Sequence, residues 1–121
     1  MQIHEIDGEF TVCKVKQLSD IDLSVSFTFC AVTDEEISLV CPTKYVPSRT
    51  MAREDGWKAF RIQGELDFGL VGILACIAGI LAENDIPIYA LSTYNTDYVL
   101  VKCHNFNRAL TLLQQNGYEV V

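Results

Sequence analysis

Few side chains in this sequence have the types and spacing that catalysis or metal binding needs. The chain of 121 residues has two histidines and five cysteines, which are Cys13, Cys30, Cys41, Cys76 and Cys103. No two cysteines have C-x-x-C spacing, and neither His4 nor His104 has a further metal ligand at a suitable distance along the chain. Three of the cysteines lie in apolar runs, where a thiol packs like a small hydrophobic group. The pattern predicts no metal or other cofactor, and thiols kept reduced in the cytoplasm.

The carboxylates and the known catalytic motifs add no active site. Asp67 precedes an apolar helix and has no identifiable partner for acid–base chemistry, and the acidic run at residues 34–36 is typical of a solvated turn. The sequence lacks the G-x-S-x-G elbow, the Walker loop and the G-x-G-x-x-G motif. We therefore expect a protein without catalytic activity.

Charge and hydropathy exclude two classes of partner. The net charge is −7, and the nine basic residues are scattered along the chain, so binding to a nucleic-acid backbone is not expected. The longest apolar stretch, residues 70–82, has 13 residues, whereas a membrane span needs roughly 18 or more. The first nine residues are polar and acidic, unlike a signal peptide. These features predict a cytoplasmic protein that does not enter membranes.

The second half of the chain predicts a regular order of elements. Alternating apolar residues indicate strands at 57–66, 86–92 and 98–103, with a final strand at 118–121. A helix capped by Asp67 should run to about Asn84, and one capped by Asn105 should end at Asn116-Gly117. The second helix has one apolar face, formed by Phe106, Ala109, Leu110 and Leu113. The order is β-α-β-β-α-β, the ferredoxin-like arrangement.

The first predicted helix is apolar around most of its circumference. Beside a stripe of large residues it carries a band of small ones, which are Gly72, Ala75, Cys76, Gly79 and Ala82. A helix of this kind is expected to be covered on more than one side, and the small band would let another helix approach closely.

The first half of the chain predicts a shortened version of the same order. Residues 10–15 form a strand, residues 17–23 have room for a turn or two of helix, and residues 25–41 form a β-hairpin. A linker follows at residues 42–55, which contain both Pro42 and Pro47. The element order predicts two related lobes, an abbreviated one at residues 1–50 and a complete one at residues 51–121.

Four segments of the sequence resemble a known family. These are WKAFRI at residue 57, LDFGLVGIL at residue 66, IPI at residue 86 and LSTYNTDYVLVK at residue 91. They resemble the ACT-domain family, and in particular the subgroup found in aspartate kinases, in the cytosolic arginine sensor of animals and in small uncharacterised bacterial proteins. The resemblance is strong over residues 57–117, and weaker over residues 1–50.

The resemblance implies an α+β fold of two ferredoxin-like βαββαβ ACT lobes, with antiparallel sheets and the helices on one face. It also implies that an amino acid binds at an interface between two modules. The implied ligand-binding positions are Leu66, Asp67, Gly69, Leu70, Val71, Gly72, Ile73, Ser92, Thr93, Tyr94, Asn95, Thr96 and Asp97. Enzyme-linked members regulate an attached catalytic domain, so the resemblance implies a separate regulated partner protein here.

Physical chemistry is compatible with those positions. A helix start attracts a carboxylate, and Gly69 and Gly72 would let the backbone of a ligand approach closely. The carboxylate of Asp97 could accept a hydrogen bond from an ammonium group. Each residue also has a purely structural interpretation, since Asp67 can be a helix cap and residues 95–97 a turn.

The leading hypothesis is a homodimeric regulatory module that binds a small amino acid. The alternative is a protein–protein interaction module whose ligand site has decayed, and which assembles through the small-residue band and exposed sheet edges. A small enzyme of ferredoxin-like fold, such as an acylphosphatase, is disfavoured because the sequence has no phosphate-binding arginine loop.

Overall fold

A computed structural model describes residues 1–63 and 72–121 of the chain. In those residues the strands are β1 (Gln2–Val15), β2 (Phe29–Val32), β3 (Ile37–Pro42), β4 (Ala52–Ile62), β5 (Ile88–Ser92), β6 (Asp97–Lys102) and β7 (Glu119–Val120). The helices are α1 (Ile73–Glu83) and α2 (Cys103–Gln115), and single 3-10 turns lie at Leu18–Asp20 and Thr43–Tyr45. The fold is therefore α+β, as predicted.

The chain divides into two compact units. The helical unit comprises Met1–Asp7 and Lys58–Val121, and the small unit comprises Gly8–Trp57. Strands β1 and β4 contribute residues to both units. The prediction that residues 1–50 and 51–121 are two related lobes stays a prediction.

The sheet of the helical unit has the strand order β7-β1-β4-β6-β5. Strands β5 and β6 pair antiparallel through a hairpin, with Ser92 opposite Asp97. Strand β7 pairs parallel to β1, with Gln2 opposite Glu119, which differs from the fully antiparallel sheet that was expected. The reason is that the start of β1 lies between β4 and β7, so that β7 pairs with β1 and not with β4.

Both helices of this unit pack on one face of the sheet. The buried residues Ile77 and Leu81 of α1 and Phe106, Ala109, Leu110 and Leu113 of α2 form one core with Phe60, Ile62, Val99 and Val101. The strand members alternate along β4 and β6, which places them on the same face. The predicted apolar face of α2 is thus the face that is buried.

Helix α2 begins three residues earlier than its sequence predicts. It starts at Cys103, and Lys102 occupies the N-cap position without a capping side-chain hydrogen bond. The predicted cap, Asn105, therefore lies inside the first turn. A cap contributes about 1 kcal/mol, which is less than the roughly 1.5–3 kcal/mol gained by burying a large apolar side chain such as Phe106. Packing of the apolar face sets where the helix begins.

The small unit has the strand order β2-β3-β1-β4. Strand β3 pairs antiparallel with both β1 and β2. Strand β2 is shorter than predicted because Phe27 adopts a left-handed backbone with φ of 63°, which interrupts extended structure just before the strand. The predicted linker ends early, since β4 begins at Ala52 and the Met51 N–H donates to the Lys14 carbonyl oxygen at 2.8 Å.

Candidate functional site

An open groove of about 330 Å³ lies in the helical unit, where the start of α1 meets the end of α2. Its walls come from three separate parts of the chain, which are the N-terminus, the beginning of α1 and the segment after α2. The lining residues are Met1, Gly72, Ile73, Cys76, Asn116, Gly117 and Tyr118. None of these side chains is acidic or basic, and the one formal charge on the described lining residues is the α-ammonium of Met1.

The start of α1 forms one wall of the groove. Gly72 occupies the N-cap position with φ of 79°, and its carbonyl oxygen accepts the first helical hydrogen bond, from Cys76 N–H at 2.9 Å. No side chain caps this end in the described residues. The N–H groups of the first helical turn precede that bond and have no intrahelical acceptor. They give this wall of the groove a partial positive charge.

The predicted start of this helix was five residues earlier. The described helix begins at Ile73, because a left-handed residue such as Gly72 cannot lie inside a right-handed helix. The predicted cap, Asp67, lies outside the described residues. So do the predicted ligand positions Leu66, Gly69, Leu70 and Val71.

The end of α2 forms the opposite wall. The predicted stop signal at Asn116-Gly117 is confirmed, with Gly117 in the left-handed region at φ of 92°. The N–H of Gly117 donates to Gln114 O at 3.1 Å and that of Tyr118 to Leu113 O at 3.0 Å, which closes the helix. A helix end of this kind carries partial negative charge. The groove therefore has helix ends of opposite sign on its two sides.

Cys76 and Tyr118 give the groove its less polar side. Burial raises the pKa of the Tyr118 phenol, and the nearby Cys76 thiol adds to that rise. The phenol is therefore neutral over the physiological range. Cys76 itself is exposed, whereas the sequence predicted a buried thiol, because the band of small residues on α1 is not covered within the described residues.

The second predicted ligand segment, residues 92–97, forms the turn between β5 and β6 and does not line this groove. Its side chains hold the turn together. The Thr93 hydroxyl donates to Thr96 O at 2.9 Å, and the Ser92 hydroxyl donates to Asp97 Oδ1 at 2.6 Å. Thr96 is buried and donates to Ile62 O at 2.8 Å. Tyr94 and Asn95 lie exposed at the tip.

Among the described residues, only two of the predicted ligand positions, Gly72 and Ile73, line the groove. It adds residues that the sequence interpretation did not select. Asn116 and Gly117 were interpreted only as a helix stop, and Cys76 only as a packing residue. Met1 gave no signal at all, since it reaches the groove through the pairing of β1 with β7, where Glu119 N–H donates to Met1 O at 3.0 Å.

The small unit contains a polar cluster of a different kind. Thr11 is fully buried, and its hydroxyl donates to Asp55 Oδ1 at 2.5 Å and contacts the Thr43 hydroxyl at 2.9 Å. Arg53 forms an ion pair with the same Asp55 oxygen at 2.8 Å. Burial raises the pKa of the neighbouring Cys41 thiol to about 11, and Cys13 adds to that rise while Arg53 opposes it. The hydroxyls of Thr11 and Thr43, the Asp55 carboxylate and the Arg53 guanidinium all have partners, so this cluster has a structural role in the unit.

Metal sites and membrane-spanning helices are both absent from residues 1–63 and 72–121. No group of three or more His, Cys, Asp or Glu side chains is arranged to hold a metal ion there. No helix in that part of the chain has the length and apolar character to cross a bilayer.

Comparison with known proteins adds family information to this geometry. A family model described as "ACT domain" matches residues 52–115. The human protein named "Cytosolic arginine sensor for mTORC1 subunit 1" is 34% identical over 99 residues, which cover 76% of this chain and 30% of that protein. The chain thus spans about 30% of the length of that relative.

Solved structures show the same fold at lower identity. A protein from Agrobacterium tumefaciens matches with a TM-score of 0.86 and 24% identity, over 99% of this chain and 91% of that one. The aspartate kinase of Clostridium acetobutylicum matches with a TM-score of 0.61 and 14% identity, over 86% of this chain and 32% of the kinase. The predicted resemblance is confirmed by these matches.

Proposed function

We propose, on the premise that this chain belongs to the ACT-domain family, that it is a regulatory module that binds an amino acid in the groove between α1 and α2. The observation that carries the proposal is the pair of opposite helix ends on either side of one amino-acid-sized space. The family is regulatory and commonly binds amino acids. The human relative is, by its name, a sensor of arginine.

The charge distribution of the groove suits a zwitterion. An α-amino acid carries a carboxylate and an ammonium group a few ångströms apart. The carboxylate would accept hydrogen bonds from the first N–H groups of α1, beside Gly72 and Ile73. The ammonium group would face the carbonyl end of α2, near Asn116 and Gly117. Each of these interactions contributes about 0.3–1 kcal/mol at an exposed site, so the two together orient a ligand.

The size of the groove points to the same class of ligand. Its volume of about 330 Å³ lies at the lower end of the range for small-molecule sites, roughly 300–1,000 Å³. A space of that size suits a single amino acid better than a nucleotide or a peptide.

We further infer that the small unit is an abbreviated ACT lobe. Along the chain, its elements are strand, 3-10 turn, strand, strand, 3-10 turn and strand. Across its sheet, the strands lie in the order β2-β3-β1-β4. From β4 to β7, the helical unit has the same order of elements along the chain, with helices α1 and α2 in place of the two 3-10 turns. The shared order supports a common design in which both helices of the small unit have been reduced to single turns.

A regulatory module acts by transmitting ligand binding to another surface. We propose that the chain acts as a homodimer, on a separate partner protein, and without catalysis of its own. Two predicted ligand segments remain, residues 66–71 and the turn at residues 92–97. We propose that these segments contact the ligand from a second module.

A thermal-shift screen of the purified chain against the twenty amino acids tests the proposed function. A ligand present at about 100 times its dissociation constant adds roughly 2.7 kcal/mol to the unfolding free energy. For a chain of this size that is a rise of several degrees in Tm. A rise with one amino acid or one chemical group of them is expected. A flat response to all twenty would contradict the proposal.

One observation favours a second candidate, a protein–protein interaction module. The stripe of small residues on α1 is largely exposed, with Ala75, Cys76 and Ala82 open to solvent. Small residues allow close helix contact with a second chain. The Ala82→Trp variant would then lower the mass measured by light scattering, whereas an unchanged mass would argue against this candidate.

A further inference from the structure

We propose that the groove selects an α-amino acid whose side chain is uncharged and apolar, in contrast to the cationic ligand in the name of the curated relative. The inference rests on the proposed function and specifies the ligand of the same site. It is carried by the side chains of Met1, Ile73, Cys76 and Tyr118, which surround the groove.

The walls favour an apolar side chain because they offer hydrocarbon, sulfur and aromatic surface. Ile73 is an aliphatic residue at the first position of α1, and Met1 is 54% exposed, with a flexible thioether that can close over a ligand. Cys76 and the ring of Tyr118 complete this side. Each methylene group that a ligand buries against such surface tightens binding about fourfold. Leucine or methionine should therefore bind at least tenfold more tightly than alanine.

The same walls give an ionised side chain little compensation for lost hydration. A guanidinium or ammonium group would find no carboxylate among the described lining residues, and the α-ammonium of Met1 would repel it. A carboxylate would pair only with that ammonium, on a residue that is 54% exposed, and exposed ion pairs contribute little. Tyr118 cannot serve as an anion at physiological pH, since burial and the nearby thiol raise the pKa of its phenol.

The acidic residue that the sequence suggested for a cation lies elsewhere. Asp97 belongs to the turn between β5 and β6, where its Oδ1 accepts a 2.6 Å hydrogen bond from the Ser92 hydroxyl. It does not line the groove. Among the described residues of the same chain, an arginine side chain placed in the groove would therefore meet Tyr118 and Cys76 rather than a carboxylate.

The chain carries its own reporter for this inference. Cys76 lines the groove and is exposed, and Cys30 is exposed on β2 of the small unit and is not a lining residue of the groove. A ligand in the groove must slow the alkylation of Cys76 and leave that of Cys30 unchanged. Cys13 and Cys41 are buried and should react slowly throughout, which reports that the fold stays intact.

The experiment is pulsed alkylation with N-ethylmaleimide, read by mass spectrometry for each cysteine, in the presence of single amino acids. Leucine, isoleucine, valine, methionine and phenylalanine represent the apolar class, and arginine, lysine, aspartate and glutamate the charged class. We expect at least fivefold protection of Cys76 by one or more apolar amino acids, no protection by the charged ones, and constant labelling of Cys30.

The outcomes separate this inference from the function on which it rests. Equal or stronger protection of Cys76 by a charged amino acid would overturn the inference and leave the proposed function standing. A rise in Tm with an apolar amino acid but no protection of Cys76 would overturn the inference and the placement of the ligand in the groove, and would leave standing only that the chain binds an amino acid. A flat response in both Tm and labelling, for every amino acid, would overturn the proposed function and the inference with it.

A charge introduced at the wall gives a second test. Cys76→Asp should weaken binding of the apolar ligand at least tenfold, whereas Ala82→Asp, an exposed position of the same helix that does not line the groove, should leave it unchanged. Equal affinity in the two variants would contradict the inference.

Discussion

The Thr96 hydroxyl donates a 2.8 Å hydrogen bond to the carbonyl oxygen of Ile62, and this bond ties the turn between β5 and β6 to strand β4. Thr96 is only 6% exposed. A residue selected as a ligand contact thus has a structural role, and its neighbours at the tip of the turn remain exposed.

The first prediction concerns this bond. Thr96→Val keeps the shape of the side chain but leaves the Ile62 carbonyl without its donor, which should lower the unfolding free energy by about 1–3 kcal/mol. Urea unfolding followed by circular dichroism measures the change. The control is Asn95→Ala at the exposed tip, which should cost less than about 0.5 kcal/mol. Equal stability of the two variants would show that the bond does not stabilise the turn.

The second prediction contrasts two glycines near the ends of the helices. Gly117 has φ of 92°, and a Cβ there would meet no atom within 4 Å, so Gly117→Ala costs only backbone strain. It should destabilise the chain by about 1 kcal/mol. Gly79 lies inside α1 and also has open space around it, so Gly79→Ala should stabilise the chain by roughly 0.5–1 kcal/mol. Thermal unfolding of both variants is the measurement, and changes of the same sign would contradict this account.

The third prediction follows from the buried thiols of the small unit. The pKa of Cys41 is raised from 9.0 to about 11, because burial disfavours the thiolate. As pH rises, the Cys41 thiol loses its proton in the unfolded chain before it does so in the folded chain. The contribution of the protonated thiol to the free energy of unfolding is therefore complete below about pH 9 and is lost between pH 9 and 11. Stability should therefore decline over that interval by more in the wild type than in Cys41→Ala, whose overall stability is lower.

Other groups also titrate above pH 9, so a matched control is needed for this measurement. Cys30 is an exposed thiol in the same unit, and Cys30→Ala should retain the wild-type pH profile. Urea unfolding of the three proteins at intervals from neutral to alkaline pH gives the comparison. Identical slopes for wild type and Cys41→Ala would count against a buried, protonated Cys41.

The sequence predicted most of the helical unit because its elements are encoded locally. The alternation of Phe60 and Ile62 and the spacing of Phe106, Ala109 and Leu113 indicated the buried faces correctly. The small unit was less predictable. Its strand β2 is shortened by the left-handed backbone of Phe27, a residue type that gives no warning of such a conformation.

The groove could not have been predicted from local patterns. Met1, Gly72 and Tyr118 are far apart in the sequence. The parallel pairing of β1 with β7 brings Met1 to the segment after α2, and the contact between α1 and α2 brings Gly72 there. Parallel pairing of the first and last strands is a tertiary contact without a local signal. The exposure of Cys76 has the same origin, since the sequence shows an apolar helix but not which of its sides the fold covers.

Calorimetric titration of the amino acid that gives the largest Tm rise into wild-type chain, Cys76→Trp and Ala82→Trp tests the central claim most directly. Tryptophan at Cys76 would fill the groove, whereas tryptophan at Ala82 would stand on the same helix outside it. The account predicts binding to the wild type and to Ala82→Trp, and loss of measurable binding to Cys76→Trp with the fold retained. Unchanged binding to Cys76→Trp would show that the groove is not the ligand site.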